Sequence, residues 1–233
     1  MNHNKALIIV DAQRGFIPAE EGERLGVAGF GELPAPDGHT IVPVLNRITK
    51  VFAEHGMFIA TTGDAHLPGT AHIAEQPNFV DTWPIHAMDG TPGAELHPEL
   101  LAGHGLAQHY KKGDSIAQSP ADDDSYTGVL AHRIEPDTGE RVVLPDDLRQ
   151  QEVLHVYIGG LIVGPADRPY CVDSTAIDLQ DQGFDVTVIA DGVGALTPED
   201  KISSFNGLRA RGIRVVNGLQ VVAEVCGTPE VVR

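Results

Sequence analysis

Cysteine, basic residues and long apolar runs are all scarce in this chain, and each scarcity narrows its class. Two cysteines in 233 residues, Cys171 and Cys226, are too few for a disulfide framework. Reduced thiols and a cytoplasmic location are therefore expected. Only 16 Lys and Arg stand against 33 Asp and Glu, a formal net charge of −17. Such a chain repels phosphates, so neither nucleic acid nor an anionic membrane is expected as a partner. No apolar run approaches the roughly 20 residues of a membrane span. The opening Met1–Ala6 carries no basic-then-apolar leader. Internal repeats, low-complexity tracts and linker-like segments are also missing, so residues 1–233 are expected to form one domain.

What is present is an alternation of short β-rich runs and helix-length segments. The runs are Ala6–Val10, Met57–Thr61, Val153–Ile158, Asp185–Ala190 and Ile213–Val216, with a weaker one at Ala107–Tyr110. Near-continuous apolar strands separated by helices indicate a three-layer α/β/α fold around a mainly parallel, Rossmann-like sheet of about six strands. Ile41–His55 and Val172–Gln182 are the clearest helices, the second ending before Gly183. Thr197-Pro198 reads as the N-cap and first residue of another. Ala19–Gly38 and Asp114–Asp147, rich in Gly, Pro and Asp, read as loops that could wall an active site.

Asp64-Ala-His66, His72 and His86 place one carboxylate and three imidazoles in a segment punctuated by Pro and Gly. Oxygen plus imidazole nitrogen without thiolate is divalent-metal chemistry. Eleven histidines in one chain can also cluster by chance. Position argues further. Asp11 follows the first run, Asp64 and His66 the second, Lys112 the weak third, and Cys171 lies past the fourth at the start of a helix. Open α/β sheets bind ligands at the carboxyl ends of their strands, so these residues should converge. A helix N-terminus and a nearby ammonium such as Lys112 should lower the Cys171 thiol pKa. Asp11 could take the thiol proton and later give it to a leaving amine. Taken singly, a core cysteine, an exposed lysine and a turn-capping aspartate are the commoner fates of such residues.

Together these residues resemble the isochorismatase-like cysteine hydrolases, and within them the nicotinamidase/pyrazinamidase branch. Ala6-Leu-Ile-Ile-Val-Asp11-Ala-Gln13-Arg-Gly-Phe16 is similar to the first strand of that family with its aspartate. Asp64-x-His66-(x5)-His72 and Trp83-Pro-x-His86-(x3)-Gly90 resemble its metal motif. Lys112-Gly113 and Tyr170-Cys171-Val172 resemble its lysine and its nucleophile turn. The resemblance implies Asp11, Lys112 and Cys171 as catalytic residues, and Asp64, His66, His72 and His86 as ligands of one divalent metal. Zinc is the first expectation for that metal, with Fe²⁺ and Mn²⁺ as alternatives. Phe16 and Trp83 are implied to pack against the substrate ring. The implied activity is hydrolysis of nicotinamide, or an analogue such as pyrazinamide, to the carboxylic acid and ammonia through a Cys thioester, as in salvage of pyridine nucleotides. Another small amide, or a non-catalytic metal- and ligand-binding relative, stands as the alternative; a non-haem iron oxygenase fits less well, because of the extra histidine and the Asp–Lys–Cys set. A homo-oligomer stays open. The chain departs from the family pattern at Ala65, at Ala87-Met88, and most at Gly160–Tyr170, which is longer and carries Pro165 and Pro169. The family has a cis peptide in that segment, and its place here stays open.

Overall fold

A computed structural model describes residues 4–227. The expected absence of a leader concerns an N-terminus whose first three residues lie outside that range. Eight strands form one sheet in the order β5-β4-β3-β2-β1-β6-β7-β8. Six of them match the expected runs: β1 (Lys5–Val10), β2 (Phe58–Asp64), β3 (Gln108–Lys112), β6 (His155–Val163), β7 (Asp185–Ala195) and β8 (Arg214–Val216). These six pair in parallel. The other two, β4 (His132–Ile134) and β5 (Arg141–Val143), add an antiparallel hairpin at the β3 edge. Its turn, Pro136-Asp-Thr-Gly139, with Gly139 at φ 72°, is the turn chemistry hidden in a segment expected to be loop. The 114–147 segment also holds the start of α3 (Leu144–Gln150), where Pro145 sits in the first turn beside Asp146 and Asp147. Likewise 19–38 is not all loop, because Ala19–Leu25 forms α1, with Glu20 and Glu21 in its first turn and Gly26 as its left-handed cap.

The strand β1 has apolar side chains on both faces, and the sheet uses both. Leu7 and Ile9 enter one core with Ile41, Leu45, Ile48 and Phe52 of α2 (Ile41–Glu54) and Val221 and Val225 of α6 (Gly218–Cys226). Ala6, Ile8 and Val10 enter the other, with Leu144 and Leu148 of α3, Val172 and Leu179 of α4 (Cys171–Asp181), and Leu208 of α5 (Pro198–Ala210). A two-residue period buried on both faces is the signature of a central parallel strand covered by helices on each side. The helix ends follow local chemistry. Thr197 Oγ1 accepts the Asp200 N–H at 3.0 Å, and Gly183, at φ 91°, follows the end of α4.

The strand order sets the position of any site. From β1 the chain builds outward through β2 and β3, then returns to β6 on the other side of β1. The β1/β6 border is thus a switch point, with its crevice at the carboxyl ends. At that border Gly160 of β6 runs so close to β1 that an added Cβ would lie 1.9 Å from the Val10 carbonyl oxygen. Its φ of 125° also excludes ordinary side chains. The cis peptide left open by the sequence lies at Leu161–Ile162, still inside β6 and ahead of both prolines.

Candidate functional site

Asp11 leaves β1 at φ 46°, a left-handed conformation that aspartate tolerates better than most residues. It is held there by its own N–H to the Thr62 carbonyl (3.2 Å) and by Thr62 Oγ1 donating to Oδ1 (2.7 Å). Asp64 closes β2, and the Gln13 side chain clasps its backbone: Nε2 donates to the Asp64 carbonyl (2.8 Å) and Oε1 accepts its N–H (2.9 Å). On β3 the alternation decides between adjacent lysines. Lys111 is exposed and pairs with Asp89 at 2.7 Å, while Lys112 is buried. The Lys112 ammonium points inward: it donates to Asp64 Oδ1 (2.5 Å) and the Ser125 carbonyl, and is ion-paired with Asp11 Oδ2 at 2.7 Å. Its Nζ is 3.7 Å from Cys171 Sγ. Cys171 opens α4, and one ligand-type atom from each of Asp11, Asp64 and Cys171 lies within 4.8 Å of the others.

The histidines gather on the other side of Asp64. Asp64, His66 and His86 each offer an atom within 4.8 Å of the rest, and His72 Nε2 lies 3.1 Å from His66 Nδ1. His66 hangs from the loop by its N–H to the Ala87 carbonyl (3.0 Å), which joins the two halves of the motif. His86 Nδ1 is 2.7 Å from the Pro84 carbonyl, an acceptor only, so Nδ1 carries the proton and Nε2 keeps a free lone pair. Burial, with the neighbouring imidazoles adding, pulls His66 down to about 2; burial also pulls His86 down to about 4, against the Pro84 bond. Both rings are therefore neutral near pH 7, the state a metal ligand needs. A buried carboxylate, neutral imidazoles and an oriented lone pair fit a divalent cation.

The electrostatics correct one expectation. The Cys171 thiol is held well above its ordinary range, because burial dominates; Lys112 opposes it, and Asp11 and Asp64 add to the rise. Burial of the sulfur, absent from the helix-terminus argument, accounts for the reversal, with Asp11 and Asp64 adding to it. Burial also raises Asp11 to about 6, with Lys112 opposing and Asp64 adding. Lys112 stays well above its normal value: burial works against its charge, but Asp11 and Asp64 prevail. The thiol thus rests protonated beside an ionised carboxylate able to receive its proton.

One cavity of about 40 Å³ meets both clusters, lined by Asp64, His72 and His86 on one side and Cys171 on another. Phe16 and Trp83 line it, as do Tyr126 and Tyr170, which the sequence reading left out. Trp83 Nε1 donates to Tyr126 Oη at 2.6 Å, and the Trp83 and Tyr170 rings meet edge to face with centroids 5.6 Å apart. Tyr126 comes from the 114–131 loop, where no periodicity marks a lining residue. All nine residues singled out by sequence are therefore within one neighbourhood, and Cys226 is exposed and remote from it.

Comparison with known proteins accords with this geometry. The profile of the isochorismatase domain matches residues 148–219. Nicotinamidase of Escherichia coli is 29% identical over 89% of this chain and 92% of its own length. Nicotinamidase/pyrazinamidase of Mycobacterium tuberculosis is 26% identical over 91% and 98%. The crystal structure of the pyrazinamidase of Pyrococcus horikoshii in complex with zinc is 30% identical, covers 92% of this chain and 99% of its own, and superposes with a TM-score of 0.69. The chain belongs to the isochorismatase-like hydrolases, in their nicotinamidase/pyrazinamidase branch. The 160–170 segment, expected from the sequence to depart from the family pattern, carries Pro165 and Pro169. It is tied down by Asp173 of α4, whose Oδ2 accepts the N–H of Gly164 (2.6 Å) and of Tyr170 (3.3 Å). Ser204 of α5 donates to Asp173 Oδ1.

Proposed function

We propose that this protein is a nicotinamidase-type amidohydrolase that converts nicotinamide and close analogues to the carboxylic acid and ammonia, a step in pyridine-nucleotide salvage. The observation that carries the reading is the meeting of Asp11, Lys112 and Cys171 with the Asp64–histidine cluster beside one aromatic-walled cavity, which Cys171, Asp64, His72 and His86 line. Asp64, His66, His72 and His86 would hold one divalent cation. Zinc is the first choice, supported by the zinc-bound pyrazinamidase relative, and Fe²⁺ and Mn²⁺ suit the same donors. When bound, the ion supplies a positive charge that orients a ring nitrogen and polarises nearby water.

The protein's own groups then carry the chemistry. Phe16 and Trp83 flank the ring and supply apolar contact. Asp11 accepts the thiol proton as Cys171 Sγ attacks the carboxamide carbon, and backbone N–H groups at the start of α4 face the developing oxyanion. Asp11 returns that proton to the departing nitrogen, ammonia leaves, and the acyl group remains on sulfur as a thioester. Asp11 then takes a proton from water, which attacks the thioester carbonyl; as the C–S bond breaks and the carboxylic acid leaves, Asp11 returns that proton to the sulfur and the Cys171 thiol is restored. Lys112, bonded to Asp11 and Asp64, keeps Asp11 ionised between proton transfers.

A second reading keeps the chemistry and changes the amide, and the enlarged, doubly proline-containing 160–170 segment beside the nucleophile favours it. The chain is read as one domain acting in the cytoplasm on a small molecule; no helix among the described residues is long and apolar enough to cross a membrane. Ammonia release from nicotinamide by the purified protein, before and after chelation and after metal add-back, tests the proposal. Turnover lost on chelation and restored by zinc is expected. Faster turnover of another amide in a small panel would move the assignment to the second reading, and no turnover of any amide would reject both.

A further inference from the structure

Asp123 is not among the residues the resemblance singles out. It lies in the loop between β3 and β4, its side chain is 3% exposed, and its Oδ1 is 3.6 Å from His72 Nδ1. His72 turns Nε2 toward His66 and so toward the cluster, while Nδ1 faces Thr70 Oγ1 (3.2 Å) and Asp123, which itself lines the cavity. An imidazole that ligates a cation must offer a lone pair on one nitrogen and carry its proton on the other. A carboxylate facing the protonated nitrogen fixes the tautomer and ring angle and makes the ligating nitrogen more basic. His86 has the neutral version of this device in its bond to the Pro84 carbonyl.

The charge inventory points the same way. A buried carboxylate is costly without a compensating cation, yet no Lys or Arg is ion-paired with Asp123 among the described residues. Lys112, the one buried ammonium here, is shared between Asp11 and Asp64. Three carboxylates against one ammonium leave two negative charges, which a single divalent cation balances. The Asp123 bond to the backbone N–H of Ser125 (3.0 Å) needs only an oxygen acceptor, so loop geometry alone does not call for an ionised side chain.

We propose that Asp123 is a positioning residue for the metal centre: it holds His72 with Nδ1 protonated and Nε2 free for the ion, and adds a second buried negative charge to the Asp64 side of the site. This rests on the reading that Asp64, His66, His72 and His86 hold a divalent cation. The test measures Zn²⁺ affinity of the full chain by competition with a chelating dye, without substrate, for the wild type and Asp123→Asn. Asparagine keeps an acceptor for Ser125 and loses the charge. Zinc binding weakened about 10- to 100-fold, with unchanged far-UV circular dichroism of the metal-free protein, is expected. Affinity within about twofold of wild type, against the 10-fold minimum of that range, overturns the role of Asp123 and leaves the metal reading intact. A wild type that binds no divalent ion overturns both. Imidazole ¹⁵N shifts of the zinc-loaded wild type give a readout that needs no variant: His72 metallated on Nε2 and protonated on Nδ1 is expected, and metallation on Nδ1 overturns the proposal.

Discussion

At the scale of single residues, the site is built on a thiol that is not pre-ionised. Burial, against Lys112 and with Asp11 and Asp64 adding, pushes the Cys171 thiol well up, so in the proposed mechanism the nucleophile is made by transfer to Asp11 during attack rather than by standing thiolate. Cys171→Ala is expected to cut ammonia release at least about a thousandfold, the scale seen when a covalent nucleophile is removed. Zinc content and ligand-induced thermal stabilisation should persist, since Sγ lies outside the histidine cluster. Elemental analysis and a melt with added nicotinate check this, and full turnover in the variant contradicts the nucleophile assignment. The resemblance of Lys112-Gly113 to the family pattern singles out Lys112 rather than its neighbour Lys111. The physical cause is strand alternation, which turns Lys112 into the site and Lys111 to solvent. Tyr126, Asp123 and Gln13 show the reverse. A phenol that closes a cavity wall, a carboxylate behind a ligand and an amide clasping a strand end have no periodic signature, and contact alone reveals them.

At the scale of elements, the helix α4, which begins at Cys171, is fastened to its surroundings through Asp173. This carboxyl receives bonds from Gly164, Tyr170 and Ser204, so it joins the long 160–170 segment, the start of α4 and α5. Burial, working against those three bonds, raises it to about 6, above the unfolded value near 3.9. The folded protein therefore keeps a proton between about pH 4 and 6 that the unfolded chain releases. The contribution of Asp173 to stability is full at the acid end and declines as pH rises through 6. Urea unfolding of wild type and Asp173→Asn at pH 4.5 and 7 should show the wild type losing stability relative to the variant as pH rises. A constant difference between the two would contradict the assignment. The elements themselves were uneven in legibility. Runs such as Ala6–Val10 and the α2 stripe were read nearly to their ends, because burial on a fixed period writes itself into composition. The carboxyl ends of β2, β6 and β7 extend past the expected limits into glycine and polar residues such as Gly63-Asp64 and Gly159-Gly160. There, pairing with a neighbouring strand outweighs weak β-propensity. The short β4–β5 hairpin and α1 were missed for the same reason, too brief to show a period.

At the scale of the whole molecule, the charge of −17 is spread over a chain that must stay compact. Self-repulsion destabilises such a chain, and salt screens it: the Debye length falls from about 30 Å at 0.01 M to about 3 Å at 1 M. The melting temperature of the metal-free protein is expected to rise by several degrees, on the order of 1 kcal/mol or more of stability, between 10 mM and 0.5 M NaCl. An unchanged or falling temperature would show that local pairs, rather than net charge, govern the response. Composition, strand period and the motifs around Asp11, Asp64–His86, Lys112 and Cys171 settled the fold class and most of the candidate site, because each is written in neighbouring residues or fixed spacings. Folding settled what depends on through-space neighbours: the upward push of burial on the Cys171 thiol, the position of the cis peptide at Leu161–Ile162, the aromatic wall from Tyr126 and Tyr170, and the placing of Asp123 beside His72. Burial and Coulomb interaction act across elements far apart in the chain, and no local pattern encodes them.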